Sequence, residues 1–478
     1  MKKALAMGLG ALLLAGSAVP ASAASQIDFS GLYRLYFSNF YDRNFASDKG
    51  GETNWSGFYN RLQLDFNFQA TDEVAVIWRL RAPAAQMWGG PSGGTGATTA
   101  ATVHAYGEVK QDWGKVSIGK LRADYFYTGL SNLGWRPAGA FGSTDFTAMN
   151  PFDIADAEFD GIRYANRWDN GFQLVGQFNR LATGQTNNDT GDEEFTDFYL
   201  LESGYFWDGG GATLGLHYLR DHASPNSGRL NAKALKVYYL NPAVSHRFDN
   251  GFGIHFEGKA GLGTDDNLSA GPQSKKVQGY AAYLDVDYNY GPGNINLAGW
   301  WASGDDGDTT SKRENVVGMG YDFKPLLVAY GSNINRAGTT NSAYSTIKGG
   351  AVAMANARSG AAGARYAAGF NTFTEPGRDQ SNHWAIALNG NHALTNDIKM
   401  TYAIAKLSLN EAVPNQYKNS SDKDIGYEAD LSFQIQLLDN LKFGTGFGYL
   451  FAGDALKMYA DDDPPDAYTW LSTLTFSF

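Results

Sequence analysis

The sequence predicts an all-β protein: a closed antiparallel transmembrane β-barrel of about eighteen strands, with a range of about sixteen to twenty. Apolar and polar residues alternate along segments of about ten to fourteen residues, longer than the mode of about five to six in globular sheets. Short turns also alternate with long polar loops along the chain. This asymmetry is typical of barrels with short periplasmic turns and long extracellular loops.

The start of the chain resembles an export signal. Lys2 and Lys3 precede an apolar run, and the small-x-small motif Ala21-Ser22-Ala23 follows it. Residues 1–23 are therefore predicted to be a signal peptide, and residues 24–478 a single barrel domain. No later segment has the roughly 18 consecutive apolar residues of a spanning helix. An exported barrel is expected in the outer membrane of a Gram-negative bacterium.

Alternation within the strands separates an apolar face from a polar face. Because unpaired carboxylates in a dry core would be costly, the polar faces are predicted to line a water-filled lumen. The second strand pattern shows the two faces clearly: Phe58, Leu62, Leu64, Phe66 and Phe68 on one, and Tyr59, Arg61, Gln63, Asp65, Asn67 and Gln69 on the other.

One region leaves the number of strands open. Residues 303–380 begin with an acidic loop and later become rich in Ala and Gly. Within them, residues 316–321 and 326–330 have the pattern of one more hairpin. If the whole region is loop, the barrel keeps about eighteen strands, and if the hairpin spans the membrane it gains two.

The chain ends on an alternating strand that carries Trp470, Leu474, Phe476 and the terminal Phe478 on one face. This ending resembles the signal by which the barrel-assembly machinery recognises outer-membrane barrels. That machinery, outer-membrane lipid and lipopolysaccharide are the expected partners. The formal net charge of −11 argues against nucleic acid as a partner.

A set of motifs surrounds the long loop between the fifth and sixth strand patterns. The fifth ends in Gly119-Lys120, the sixth contains Asp160-Gly-Ile-Arg-Tyr164, and Gly171-Phe172 opens the next strand. This arrangement resembles the trimeric general porins of bacteria, in which the third loop folds inward and narrows the pore. The resemblance implies an inward-folded third loop, a homotrimer, and passive diffusion of ions and small hydrophilic solutes.

Other features leave alternatives to a general porin. The chain length and the loop that follows Gly299-Trp-Trp301 resemble the larger porins of sulfate-reducing bacteria, and also substrate-specific or alginate-export barrels. A channel specific for carboxylates, sugars or oligosaccharides is therefore one alternative. A barrel enzyme is another, because catalysis requires only spatial adjacency. The chain lacks the His-Glu-x-x-His and Gly-x-Ser-x-Gly spacings, so we expect no enzyme, catalytic residue, cofactor or metal site.

The candidate pore residues are charged. Alternation directs five arginines inward, and the third loop supplies acids that would face them across a narrow gap and create a transverse field. Local pairing of the arginines with Asp65, Glu108 or a loop acid, which would only stiffen the wall, is the alternative. Lys120 is included provided that the strand bends at Gly119, because strict alternation directs it outward. The predicted constriction comprises Arg34, Arg61, Arg79, Arg81, Lys120, Arg163, Asp145, Asp153, Asp156 and Glu158.

Overall fold

The computed structural model of the protein describes the strands, the short turns and parts of two long loops. The predicted signal peptide lies outside the described residues, as do most of the long loops. The described residues are 26–41, 55–88, 101–122, 158–183, 195–221, 235–265, 275–304, 312–314, 323, 325–330, 381–411, 422–456 and 466–478.

These residues form one sheet of eighteen long strands with one additional two-residue strand, β14. A 3₁₀ turn, Asp454–Leu456, follows β18. No helix among the described residues has the length and hydrophobicity needed to cross a bilayer. The strands are β1 Gln26–Tyr41, β2 Trp55–Gln69, β3 Val74–Trp88, β4 Ala101–Gln111, β5 Gly114–Arg122, β6 Glu158–Arg167, β7 Phe172–Thr183, β8 Phe195–Trp207, β9 Gly210–Asp221, β10 Leu235–Arg247, β11 Phe252–Asp265, β12 Lys275–Asn289, β13 Gly293–Ala302, β14 Lys312–Arg313, β15 His383–Ala393, β16 Ile398–Leu409, β17 Asp424–Leu438, β18 Leu441–Ala452 and β19 Ala467–Ser477.

The sheet closes on itself. Each long strand pairs antiparallel with the next, and β1 pairs with both β2 and β19. At this seam the Gly31 amide donates to the Phe478 carbonyl at 2.8 Å, and the Phe478 amide donates to the Gly31 carbonyl at 3.0 Å. Closure leaves no unpaired edge, which a bilayer would not tolerate. The predicted closed antiparallel barrel is confirmed.

The region between β13 and β15 adds no strand to the barrel wall. The two strands pair directly with each other along β13, from Gly293 opposite His392 to Ala302 opposite His383. The short β14 instead pairs in parallel with β12, beyond the level at which β13 ends. Residues 326–330, one half of the hairpin that the sequence left open, form bends. Residues 316–321, the other half, lie outside the described residues.

The two faces of the wall differ in the way that alternation predicts. On β9, Leu214 and Leu216 are 43% and 51% exposed on the outside, whereas the inward-facing Thr213 and His217 are 6% and 3% exposed. Exposed apolar side chains continue around the outside, and such a band is stable against lipid rather than water. It includes Tyr199, Leu201, Leu240, Val244, Ile254, Leu284, Val286, Leu297, Ile386, Leu388, Ile404, Leu431, Phe447 and Phe476.

Candidate functional site

Two arginines lie side by side on the inner face of β1 and β2. Arg34 is directly opposite Arg61 in the ladder, near the middle of both strands. Arg34 Nε donates to Thr475 Oγ1 at 3.0 Å, and Arg34 Nη1 donates to Tyr36 Oη at 3.1 Å. Directly opposed like charges repel each other unless water or anions solvate them. This part of the wall is therefore a positive surface suited to a wet lumen.

Two further arginines lie on the inner face of β3. Arg79 forms an ion pair with Asp65, and Arg81 Nη2 donates to Gln63 Oε1 at 3.4 Å. The local pairing that the sequence offered as an alternative is thus realised for Arg79. The guanidinium of Arg81 therefore lies beside the uncharged amide of Gln63.

Arg163 on β6 completes the set of inward-facing arginines. It is buried, lies opposite Ser117, and has its guanidinium 5.9 Å from the centre of the Tyr106 ring. Nearby Glu108 contacts Lys115 Nζ at 3.2 Å and accepts a hydrogen bond from Ser117 Oγ at 3.3 Å. We name Arg34, Arg61, Arg79, Arg81 and Arg163 the basic wall.

Lys120 does not belong to the basic wall. Gly119 has a φ of 137°, a conformation that favours glycine, yet the ladder keeps its register across it. Lys120 consequently lies opposite Ala105 and Asp160, which are exposed on the outer face, and its Nζ donates to the Thr102 carbonyl at 2.6 Å. The expectation that a bend at Gly119 turns Lys120 into the pore is wrong.

The predicted acids of the third loop stay a prediction. Glu158 is the first residue of β6 and pairs with Arg122 through the backbone, but its side chain lies outside the described part of the structure. Asp145, Asp153 and Asp156 lie outside it as well.

Other acids lie on the wall across the lumen. In the closed sheet, β12 is halfway round from β3, and β11 is halfway round from β2. Their buried inner faces carry three carboxylates, which we name the acidic wall: Glu257, Asp285 and Asp287. Arg247 Nη2 donates to both oxygens of Asp287, at 2.7 and 3.0 Å. Acidic side chains therefore lie on the wall opposite the basic wall, but they are buried, Lys259 lies beside Glu257 on the inner face of β11, and Asp287 is paired with Arg247.

A stretch of the long loop between β13 and β15 lies inside the barrel. We name Phe323 and residues 325–330 the lumen segment, and its apolar side chains are 0–3% exposed. The Phe323 ring contacts the rings of Trp300 and Tyr283, with centroids 5.2 and 6.0 Å apart. Since burying one large apolar side chain contributes about 1.5–3 kcal/mol, these contacts favour a bound segment.

Two carboxylates of β17 bind the backbone of the lumen segment. The amide of Val328 donates to Glu428 Oε1 at 2.6 Å, and the amide of Ala329 donates to Glu428 Oε2 at 2.7 Å. The Leu327 amide donates to Asp430 Oδ2 at 3.1 Å. Hydrogen bonds to a carboxylate are stronger than those between neutral groups. The two acids therefore satisfy three backbone donors that would otherwise be buried without a partner.

Tyr330 fixes the end of the lumen segment through a chain of hydrogen bonds. Trp300 Nε1 donates to Tyr330 Oη at 2.5 Å, and Tyr330 Oη lies 2.7 Å from His383 Nε2. His383 Nδ1 lies 3.1 Å from the Ser381 carbonyl, which can only accept, so Nδ1 is the donor. Nε2 of a neutral His383 then accepts a hydrogen bond from the Tyr330 hydroxyl, and every group in the chain has a partner.

Small residues make room for the lumen segment. A Cβ at Gly448 on β18 would lie 2.5 Å from Asp430 Oδ1 and 2.8 Å from Leu327 Cβ. The predicted wet surface on every inner face does not hold here, because this part of the lumen is filled by apolar packing. Several buried alanines on the inner faces of β13, β15 and β16 pack in this cluster, and we name five of them the alanine wall: Ala298, Ala385, Ala387, Ala403 and Ala405.

Solved structures with the same architecture come from outer-membrane channels. OccK9 (OpdG) of Pseudomonas aeruginosa aligns with 95% of this chain and 98% of its own, with a TM-score of 0.53 and 12% identity. A variant of OccD1 (OprD) aligns over 96% and 97%, with a TM-score of 0.52 and 11% identity. The chain has the fold of a bacterial outer-membrane porin. OccK8 (OprE) of Pseudomonas aeruginosa aligns over 95% and 98%, with a TM-score of 0.51 and 10% identity.

The porin fold and the exposed apolar band locate the protein in the outer membrane. No protein-family model matches the sequence, and no curated protein sequence matches it. At this level of identity the likeness concerns the fold. The solutes that pass through this porin fold must therefore be inferred from its own lumen residues.

Proposed function

We propose that the protein is a porin through which ions and small hydrophilic solutes diffuse passively. The observation that carries the proposal is the basic wall, most of whose arginines are partly exposed on the inner face of a closed barrel, opposite the buried acidic wall. Side chains of opposite sign on facing walls create a transverse field in the water between them. Such a field orients dipolar solutes and disfavours apolar ones.

The lumen segment narrows this channel from one side. It covers the alanine wall and is bound by Glu428 and Asp430, so solutes pass between it and the basic wall. On this proposal the third-loop acids add negative charge near the same level, as the porin resemblance implies. We also propose that the protein assembles as a homotrimer and that the strand ending in Phe478 engages the assembly machinery.

Electrical recordings in planar lipid bilayers test the channel directly. Purified folded protein should produce discrete steps of current that increase linearly with voltage, and detergent without protein should produce none. A folded barrel that inserts into the bilayer without carrying current would contradict the proposal.

A second candidate function is a channel selective for solutes that carry a carboxylate. The observation in its favour is the pair Arg34 and Arg61, which lie directly opposite each other, with the Thr475 and Tyr36 hydroxyls in contact with Arg34. Such a group of donors matches a carboxylate. A small dicarboxylate should then block the ionic current with saturation, whereas a neutral sugar of the same size should not. Equal and non-saturating effects of the two solutes would leave passive diffusion as the function.

A further inference from the structure

A row of charged side chains crosses the outer wall near the long-loop ends of β5 to β10. Each member lies directly opposite the next in the ladder, and directly opposed residues share one face of a sheet. This face is the outer one, because Tyr199 and Tyr238 are exposed to the outside. Each lies two residues from a member of the row on the same strand and therefore on the same face of the sheet. We name this feature the outer charged row, and it comprises Lys120, Asp160, Arg180, Asp197, Arg220 and Lys236.

The row continues beyond β10 with further lysines. Lys236 lies opposite Thr264 on β11, and Thr264 lies opposite Lys276 on β12. Lys276 in turn lies opposite Lys312 on β14. Lys236 and Lys276 are exposed. We name Arg220, Lys236, Lys276 and Lys312 the basic end of the row.

The two acids of the row lie away from most of its basic end. Asp197 accepts two hydrogen bonds from Arg180, at 2.5 and 3.1 Å, and Asp160 lies between Lys120 and Arg180 in the ladder.

The basic end itself has an excess of positive charge. Arg220 has Asp197 on one side and Lys236 directly opposite it on the other. Lys312 Nζ approaches Glu314 at 3.8 Å. Because like charges directly opposite each other on a sheet are destabilising, a bound anion would stabilise this end of the row.

A ladder of aromatic rings fixes the depth of the row in the membrane. Two residues closer to the middle of the same strands, the rings of Phe178, Tyr199, Tyr218 and Tyr238 contact one another in order, with centroids 5.1, 5.9 and 4.5 Å apart. Outward-facing aromatic residues of this kind lie at the boundary between hydrocarbon and headgroups. The row lies on the long-loop side of that ladder, at the headgroup level of the outer leaflet.

The other side of the barrel has a different outer surface at this level. Among the described outer-face residues of β15 to β19, the cation is Lys406, which forms an ion pair with Asp424. Its Nζ also lies over the Tyr427 ring, 4.0 Å from the centroid. The excess of positive charge therefore belongs to one side of the described wall.

We propose that the basic end of the outer charged row binds the phosphate groups of the outer-leaflet glycolipid, lipopolysaccharide. Lysine and arginine side chains extend along an apolar wall while their charged ends reach the headgroups. Neighbouring cations on adjacent strands, about 5 Å apart, suit a headgroup that carries more than one phosphate. The site is on the lipid-facing wall and does not depend on the proposed channel function.

Binding of bisphosphorylated lipid A to the purified protein in detergent tests this site. The variant Arg220→Gln, Lys236→Gln, Lys276→Gln should bind lipid A at least about tenfold more weakly than the wild type. Wild-type binding should also weaken as salt is raised, because the contact is electrostatic. Lipid A stripped of its phosphates should bind the two proteins equally.

Lys406→Gln is the matched control, because it removes a lysine at a similar level on the other side of the wall. Unchanged heat-modifiable gel mobility would show that each variant is folded, since all the substitutions are on the outer face. The proposal is overturned if the triple variant binds lipid A as tightly as the wild type, or if Lys406→Gln weakens binding equally. It is also overturned if the triple variant loses an oligomer instead of lipid, because the row would then be a subunit contact.

Discussion

The basic wall and the alanine wall belong to the same barrel, but their side chains contact different groups. Along the basic wall, charged side chains pair with each other or face water, as Arg79 with Asp65 and Arg34 with Tyr36. The alanine wall has no long polar side chains at these positions and is covered by the lumen segment. One side of the pore is therefore defined by local alternation, and the other by a contact with residues distant in the sequence.

The two walls limit the width of the channel in different ways. The charges of the basic wall are attached to strands and cannot leave the lumen. The lumen segment is a part of a loop, held by side chains of β17, β13 and β15. Its position consequently depends on these hydrogen bonds together with its apolar packing, and removing the hydrogen bonds should alter the width of the pore without altering the wall.

The largest expected effect comes from the acids that bind the lumen segment. In the variant Glu428→Ala, Asp430→Ala, three buried backbone donors lose their acceptors, at about 1–3 kcal/mol each. We expect the segment to leave the alanine wall and the single-channel conductance to rise. The measurement is conductance in planar bilayers.

Two further variants sharpen that experiment. Ser432→Ala changes the same face of β17 but removes no bond to the segment, so conductance should stay at the wild-type value. Gly448→Val should displace the lumen segment while both acids are kept, because the valine side chain would collide with Leu327. Wild-type conductance in both the double acid variant and Gly448→Val would show that the segment does not narrow the pore.

A smaller effect is expected from the basic wall. Arg34→Gln together with Arg61→Gln removes two adjacent positive charges from the lumen, so reversal potentials under a salt gradient should shift toward cation selectivity. The shift should shrink at about 1 M salt, where the Debye length is about 3 Å. Lys406→Gln removes a charge from the outer wall and should cause no shift. An equal shift in this control would place the selectivity outside the lumen.

The smallest effect is expected from the ion pair on the same wall. Asp65→Asn should favour anions and Arg79→Gln should favour cations, while the double variant should return close to the wild-type reversal potential. Because both side chains are about a third exposed, the pair should contribute only about 0.2–1 kcal/mol to the free energy of unfolding. A double variant that keeps the reversal potential of either single variant would mean that the two charges do not act at one site.

The sequence predicts the barrel and the basic wall for the same physical reason. Alternation of apolar and polar residues is a local property of the sequence. The position of Arg61 relative to its apolar neighbours is therefore sufficient to predict that it faces inward. The same rule directed Lys120 outward, and the register across Gly119 agrees with the rule. The alternation of Asp285 and Asp287 with Leu284 and Val286 could likewise have indicated the acidic wall.

The lumen segment could not be derived in this way. Residues 326–330 are apolar, and a short apolar run is compatible with either a strand or a buried coil. What binds it is Glu428 and Asp430, about a hundred positions further along the chain, and nothing local in the sequence pairs them with it. The one local indication in the sequence was the excess of alanines at the inward-facing positions of β13, β15 and β16.

Single cysteines test the contrast between the two walls most directly, since the chain contains no cysteine of its own. Gln63→Cys on the basic wall should react rapidly with a charged thiol reagent added during recording, and the current should fall. Ala387→Cys, beneath the lumen segment, should stay unreactive until Glu428→Ala and Asp430→Ala are added to the same chain. Equally fast reaction of Ala387→Cys and Gln63→Cys with both acids intact would contradict the account, because the alanine wall would then be open to water.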